Sequence, residues 1–383
     1  MKFWSRNKLA LIVIFTIGGG AVFAAHFLFF RKVNVPVIST IHSNWPVTAV
    51  AWSPNGEKLA TVNLYGEVDL WSVDGKLVRH FGRVAGPAVS HYLGFANQGR
   101  YLITSPAALD SDRGVPQETS EETSSSTRGK DAFSVWDVEA GEVVRHVQGP
   151  PLTPGHVIYG PGSYSISPDG ELVALCPPLE TRVTIYSVRD WQILQIIDGP
   201  REHSNGQPRG ASNFVFSPDS RRILISGDDE VVSFKINRRE YQDLSPTSDR
   251  YIYPFPGSGN LVVSPDGVVM ATDGAFHSES FSGFSKIYNP KPYHIRLWRF
   301  SDRALLMDYS ERFATVRQAS WASDGKALAV SANGAVRLYR PYDLSIPARI
   351  IIQEEAMSIG FSPQGHLLAA TVGNNVIITR IEE

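Results

Sequence analysis

Two hydrophobic patterns divide the chain. Leu9 to Phe30 is a run of 22 residues without a formal charge. As a helix rising ~1.5 Å per residue it would reach ~33 Å, enough to cross a bilayer core. Beyond residue 33 no long stretch repeats with helical period. Short apolar and β-branched runs alternate instead with turn residues, which predicts strands.

One phrase recurs along that second region. It reads Val50-Ala51-Trp52-Ser53-Pro54-Asn55-Gly56, then Ile166-Ser167-Pro168-Asp169-Gly170. It returns as Phe216-Ser217-Pro218-Asp219-Ser220, Val263-Ser264-Pro265-Asp266-Gly267 and Phe361-Ser362-Pro363-Gln364-Gly365. Phe95-Ala96-Asn97-Gln98-Gly99 and Trp321-Ala322-Ser323-Asp324-Gly325 are looser copies. Proline presets φ, Asp or Asn bonds the local backbone and Gly accepts positive φ, so each copy predicts a tight hairpin turn. A third strand follows each hairpin and ends in an aromatic residue in six of seven units, as in Val68-Asp69-Leu70-Trp71 and Ile295-Arg296-Leu297-Trp298. A fourth strand follows six of them, as in Lys76-Leu77-Val78-Arg79-His80.

The serine or its substitute stands at 53, 96, 167, 217, 264, 322 and 362, a spacing of 40 to 50 residues broken by intervals of 71 and 58. A base period near 40 to 45 with insertions is the mark of propeller blades. With Trp136-Asp137 as a literal copy of the family's dipeptide, the region from about 34 to 383 resembles the WD-repeat family. The family's Gly-His pair is missing from every repeat, and the Asp before the third strand is mostly missing. The chain is similar in this to periplasmic propellers with Ser-Pro-Asp-Gly turns. The resemblance implies an all-β fold: a seven-bladed β-propeller of four-stranded blades. The last repeat stops after its third strand, so Pro36-Val37-Ile38-Ser39-Thr40-Ile41 is expected to complete the last blade and remove an open edge.

The organisation expected is a short cytoplasmic segment 1–8, a transmembrane signal anchor 9–30 and the propeller 34–383, with a disordered insert at about 106–131. Lys2, Arg6 and Lys8 precede the apolar run, and Arg31 and Lys32 follow it. That balance, with the α-amino group, favours a cytoplasmic N-terminus and a propeller outside. The rival is a cleaved signal peptide, with Val22-Phe23-Ala24 as its small-residue site. Against cleavage, the apolar run continues through Phe27-Leu28-Phe29-Phe30 to a basic stop. His26 within it is expected to be neutral and near the outer interface. The expected place is a bacterial inner membrane with the propeller in the periplasm; the alternative is a soluble periplasmic domain.

Insertions bear on partners. In a four-stranded blade the second-to-third and interblade connections share one rim. The long segments Pro106–Asp131, Gly149–Gly162, Gly199–Gly210, Ser245–Gly259 and Asp273–Tyr293 are all assigned to it. Insertions on one rim of a repeat array tend to mark its binding face. Gln117 to Thr127 is acidic and rich in Ser and Thr. Tyr251, Tyr253 and Phe255 in one loop, with Phe276, Phe281 and Phe284 in another, are candidate partner anchors, since aromatics dominate interface energetics. Arg201 and Arg209 are candidates for an acidic partner.

Composition narrows the chemistry. A formal net charge of −2 argues against nucleic acid as partner. A single cysteine, Cys176, excludes an internal disulfide and fits a small buried hydrophobe. The sequence carries no Gly-rich phosphate loop, no His-Glu-x-x-His and no Gly-x-Ser-x-Gly. His80 and His146 occupy equivalent repeat positions, which explains them better than metal ligation. Asp228-Asp229-Glu230 reads as a solvated hairpin tip before a cation site. No catalytic residue, metal, cofactor or small-molecule ligand is assigned. The expected function is a non-enzymatic scaffold for a protein partner. The alternatives are a hydrolase or lyase with its site in the central funnel, and a structural subunit of a membrane complex.

Overall fold

The computed structural model describes residues 31–32, 35–84, 92–104, 131–149, 163–176, 182–198, 213–226, 231–237, 242–244, 251–253, 261–274, 293–299, 301–302, 304–313, 316–341 and 349–381. They form seven sheets. The first holds Val47–Trp52, Lys58–Asn63, Glu67–Ser72 and Leu77–Arg83, laid side by side in chain order with every neighbour antiparallel. The second follows with Leu93–Ala96, Tyr101–Thr104, Asp131–Asp137 and Glu142–Gln148. The third begins at Ser163–Ile166, the fourth at Asn213–Phe216, the fifth at Leu261–Val263, the sixth at Val316–Trp321 and the seventh at Ile359–Phe361. Each of these first strands neighbours the first strand of the next sheet, and the seventh neighbours the first. The architecture is a β-propeller of four-stranded blades.

Burial explains why the second and third strands read as continuous apolar runs. Leu172–Cys176, Leu328–Ala332 and Ala335–Tyr339 are buried at every position, because both faces of a blade pack against neighbouring blades. The outer strand Glu142–Gln148 is mostly exposed. Cys176 lies in the core packed between the third and fourth sheets, with Phe214, Ile223 and Ile225.

The recurring turn is a small structural device. In the first sheet Lys58 N–H donates to Ser53 Oγ at 2.9 Å, while that hydroxyl donates to Asn55 Oδ1 at 2.7 Å. The third sheet repeats it with Leu172 N–H on Ser167 Oγ (2.9 Å) and Ser167 Oγ on Asp169 Oδ1 (2.6 Å). Gly56 carries φ +69°, where a Cβ would also meet the Gln364 side chain of the seventh sheet. Consecutive turns touch around the rim: Gln364 Nε2 donates to Asn55 O at 2.8 Å, Asn97 N–H to Gly170 O at 2.8 Å and Asp169 N–H to Ser220 Oγ at 3.2 Å.

The N-terminal strand closes the seventh sheet. Val37–His42 pairs antiparallel with Asn375–Arg380, with Thr40 opposite Ile377 and His42 opposite Asn375. Ile41 is then packed with Val47, Leu59, Val376 and Ile378 at the seam of the seventh and first sheets. Before it, Arg31–Lys32 pairs in parallel with Arg349–Ile352 at the outer edge of the sixth sheet.

The fourth sheet departs from the expected connections. Tyr251–Tyr253, expected in a loop, is its outer strand, antiparallel to Val231–Lys235. Of Tyr251 and Tyr253 only this backbone pairing is described. The connection from Lys235 to Tyr251 therefore joins a third strand to a fourth, so the long connections do not all belong to the second-to-third and interblade class. Within this connection Gln242–Leu244 adds in parallel to the outer strand Ile193–Asp198 of the third sheet. The cause is non-local: an outer blade edge offers unpaired backbone groups that a passing segment satisfies.

Among the described residues no helix is long and apolar enough to cross a membrane. The expected span 9–30 lies outside the described residues. So do the acidic segment 117–127 and residues 228–230.

Candidate interaction rim

Of the candidate partner residues, Phe255, Phe276, Phe281, Phe284, Arg201 and Arg209 lie outside the described residues. The rim they were assigned to is nevertheless visible at its first blade. Trp45 stands in the link from the closing strand to the first inner strand, Tyr65 in the second-to-third turn of the first sheet, and Arg83 at the end of its outer strand. Three separate connections thus deliver three large side chains to one place.

Their geometry is closely specified. The Trp45 and Tyr65 ring centroids are 4.5 Å apart and tilted by 57°. The Arg83 guanidinium lies 5.6 Å from the Tyr65 ring centroid, within cation–π range, and its Nε donates to Tyr65 O at 2.6 Å. Trp45 is 44% exposed, a large aromatic held in water. The backbone beneath is pinned. Asn63, nearly fully buried, accepts Tyr65 N–H and Glu67 N–H on Oδ1, both at 3.0 Å, and donates from Nδ2 to Glu67 Oε2 at 2.6 Å. The Trp45 link is tied to the seventh sheet by Ser43 N–H on Asn374 O (2.8 Å), Val47 N–H on Gly373 O (2.9 Å) and Asn374 Nδ2 on Asn44 O (3.2 Å). Leu64 N–H donates to Pro46 O at 2.8 Å, joining link and turn.

Farther round the same rim, Tyr92 and Tyr164 stack with centroids 5.2 Å apart, and Tyr164 Oη donates to Ala132 O at 2.7 Å. Burial pushes both phenols well above their ordinary range, so they act as hydroxyls and not as phenolates. Arg317 Nε meets Glu355 Oε1 at 3.2 Å, and Met357 beside them is 41% exposed.

The two repeat-phased histidines sit elsewhere. His80 Nδ1 is 2.7 Å from Asp69 Oδ1, its register neighbour across the strand pair, and His146 Nδ1 is 3.0 Å from Ser134 Oγ in the same relation. Burial raises the Asp69 carboxyl from its ordinary value, and the His80 hydrogen bond pulls it back. Among the described residues no group of three or more His, Cys, Asp or Glu is placed to hold a metal.

Sequence reasoning passed over Trp45, Tyr65 and Arg83. The signal was a tryptophan in a short polar link, Ser43-Asn44-Trp45-Pro46, where a buried anchor has no room.

Residues 36–78 match the model of the family described as "WD domain, G-beta repeat". That stretch takes in the closing strand of the seventh sheet and the first three strands of the first, so the sequence repeat is offset from the blade by one strand. The match and the topology together support a WD-repeat propeller. One of the subunits of eukaryotic translation initiation factor 3, from Schizosaccharomyces pombe, is 31% identical to this chain over 128 residues. Those residues are 33% of this chain and 17% of that protein, so the chain spans less than a fifth of the relative's length.

Proposed function

We propose that the seven sheets are the blades of one seven-bladed ring, and that this ring is a non-enzymatic scaffold offering its interblade rim to a protein partner. The observation that carries the reading is the Trp45–Tyr65–Arg83 cluster. Trp, Tyr and Arg are the residue types that dominate binding hot spots. Holding them on a pinned backbone lowers the ordering cost of association. The relative's printed name, that of one component of a larger factor, agrees with a role among other proteins; its part in initiation is not carried over. The apolar run 9–30 and its flanking charges support a single-pass anchor with the propeller outside the cytoplasm.

The test is crosslinking in membranes, mild detergent extraction of the full chain, and identification of what accompanies it. A Trp45→Ala, Arg83→Gln variant that folds normally is expected to lose a specific partner that the wild type retains. Retention of every partner by that variant refutes the assignment of this rim.

A further inference from the structure

Two outer blade edges carry an added strand at one and the same position. Gln242, Asp243 and Leu244 pair in parallel with Gln195, Ile196 and Ile197 of the third sheet. Arg31 and Lys32 pair in parallel with Arg349 and Ile350 of the sixth. The repeat fixes the level. Gln195 stands opposite Ile185 and Arg349 opposite Leu338, in each case the residue before the aromatic near the end of the third strand, Tyr186 or Tyr339. Both additions start there and run on toward the interblade rim.

The second sheet offers the same place unfilled among the described residues. Arg145, His146 and Val147 stand opposite Val135, Ser134 and Phe133 without a register shift, and Val135 precedes Trp136. No described strand lies beyond them. Arg145 and His146 are exposed, whereas Gln195, on a filled edge, is 0% exposed. Other edges differ. In the seventh sheet the turn of the first overlays the outer strand: Ser39 Oγ donates to Val73 O at 2.6 Å, and Gly75 lies against Ser39 and Thr40 O. In the first, a register shift follows His80, and Arg79 Nη1 is tied to Ala140 O at 3.0 Å. In the fifth, the matching stretch begins at Met307, already buried. Arg145 makes no ion pair among the described residues. The strand's own carboxylate, Glu142, stands at its far end opposite Asp137.

Resting on the scaffold reading, we infer that the outer edge of the second sheet takes an extended segment of the protein partner as a fifth, parallel strand. The segment pairs with Arg145–Val147 and sets an acidic side chain against Arg145. Main-chain hydrogen bonds supply the affinity of such an addition and side chains its specificity. An unpaired edge is a template for it, as the chain's own two additions demonstrate. Running parallel to the fourth strand, the segment emerges at the interblade rim, the rim proposed to meet the partner.

The test compares the full chain extracted with its partner and the same chain stripped of it, both read by hydrogen exchange. In the stripped chain, residues 143–148 are expected to exchange faster than 193–198, which lie under an added strand; equal exchange overturns the open edge. Return of the partner is expected to slow exchange at 143–148 and leave 193–198 unchanged. Protection confined to the connections bearing Trp45 and Tyr65 overturns this inference and leaves the scaffold reading standing. A chain that retains no partner refutes both. A photoreactive residue at position 146 is expected to crosslink one short acidic segment of the partner; capture of several separate segments overturns strand addition. Arg145→Glu, on a different sheet from Trp45 and with an unchanged unfolding midpoint, is expected to lose the protection at 143–148, and Arg145→Lys to keep it. Full protection in Arg145→Glu overturns the acidic pairing.

Discussion

The two rims of the propeller are built by opposite rules. On the short-turn rim, the first, third and fourth sheets spend the same few residues on the same hydrogen bonds, Ser Oγ to the Asx side chain and the returning N–H to Ser Oγ, and the fifth and seventh each keep one of the two. Those turns then bond to one another from blade to blade. On the interblade rim Trp45 and Met357 stand exposed, whereas the exposed apolar side chains of the short-turn rim, Val37, Leu77, Val268 and Leu305, are aliphatic. A surface whose polar groups satisfy each other has little left for a partner. On the proposed reading, the pinned aromatics and arginine of the other rim keep their binding free energy for a partner. The fourth blade qualifies the contrast, because its third-to-fourth connection, from Lys235 to Tyr251, is long.

Five experiments break or sharpen that contrast. The largest effect tests the closed ring on which both rims depend: Ile41→Ala, at a side chain 1% exposed in the closing strand, should cost ~2–5 kcal/mol in urea or thermal unfolding. Next, Trp45→Ala should weaken partner binding by about 30-fold, ~2 kcal/mol, with the unfolding midpoint nearly unchanged. A fall in stability equal to the fall in binding would make the tryptophan structural. Gly56→Ala reverses the pattern, costing ~1–2 kcal/mol of stability from its positive φ and leaving binding intact. Ser167→Ala removes the hydroxyl that receives Leu172 N–H and should cost ~1 kcal/mol. The smallest effect is electrostatic. The hydrogen bond from Ser217 Oγ, 2.5 Å, holds the Asp219 carboxyl below its ordinary value. Its contribution is therefore present above the unfolded pKa and lost as pH falls through the folded one. Asp219→Asn should flatten slightly the acid limb of the stability profile; an unchanged limb would show that this turn carries no charge-dependent share.

The hairpins were legible because each is local: apolar strand, turn phrase, apolar strand, all within about a dozen residues. The closing strand was legible for a different reason, a missing fourth strand at one end of the chain and a spare strand at the other. Tyr251–Tyr253 was not: Tyr and Ile favour strands, but a run of three between Asp249 and Pro254 is too short to stand out, and it is recognised only by its pairing with Val231–Lys235. The parallel additions of Arg31–Lys32 and Gln242–Leu244 left no local trace either, because their partners are edges of other units.

By itself, then, the chain's pattern determined the repeat, the turn chemistry, the closing strand and the apolar segment at 9–30. These follow from short-range sterics and from a period written into neighbouring residues. Only the tertiary structure decided that Trp45, Tyr65 and Arg83 meet, that one long connection joins a third strand to a fourth, and that Arg31 pairs with Arg349. Each of these depends on which edges and connections the ring brings together, and no local stretch of sequence contains both partners of such a contact.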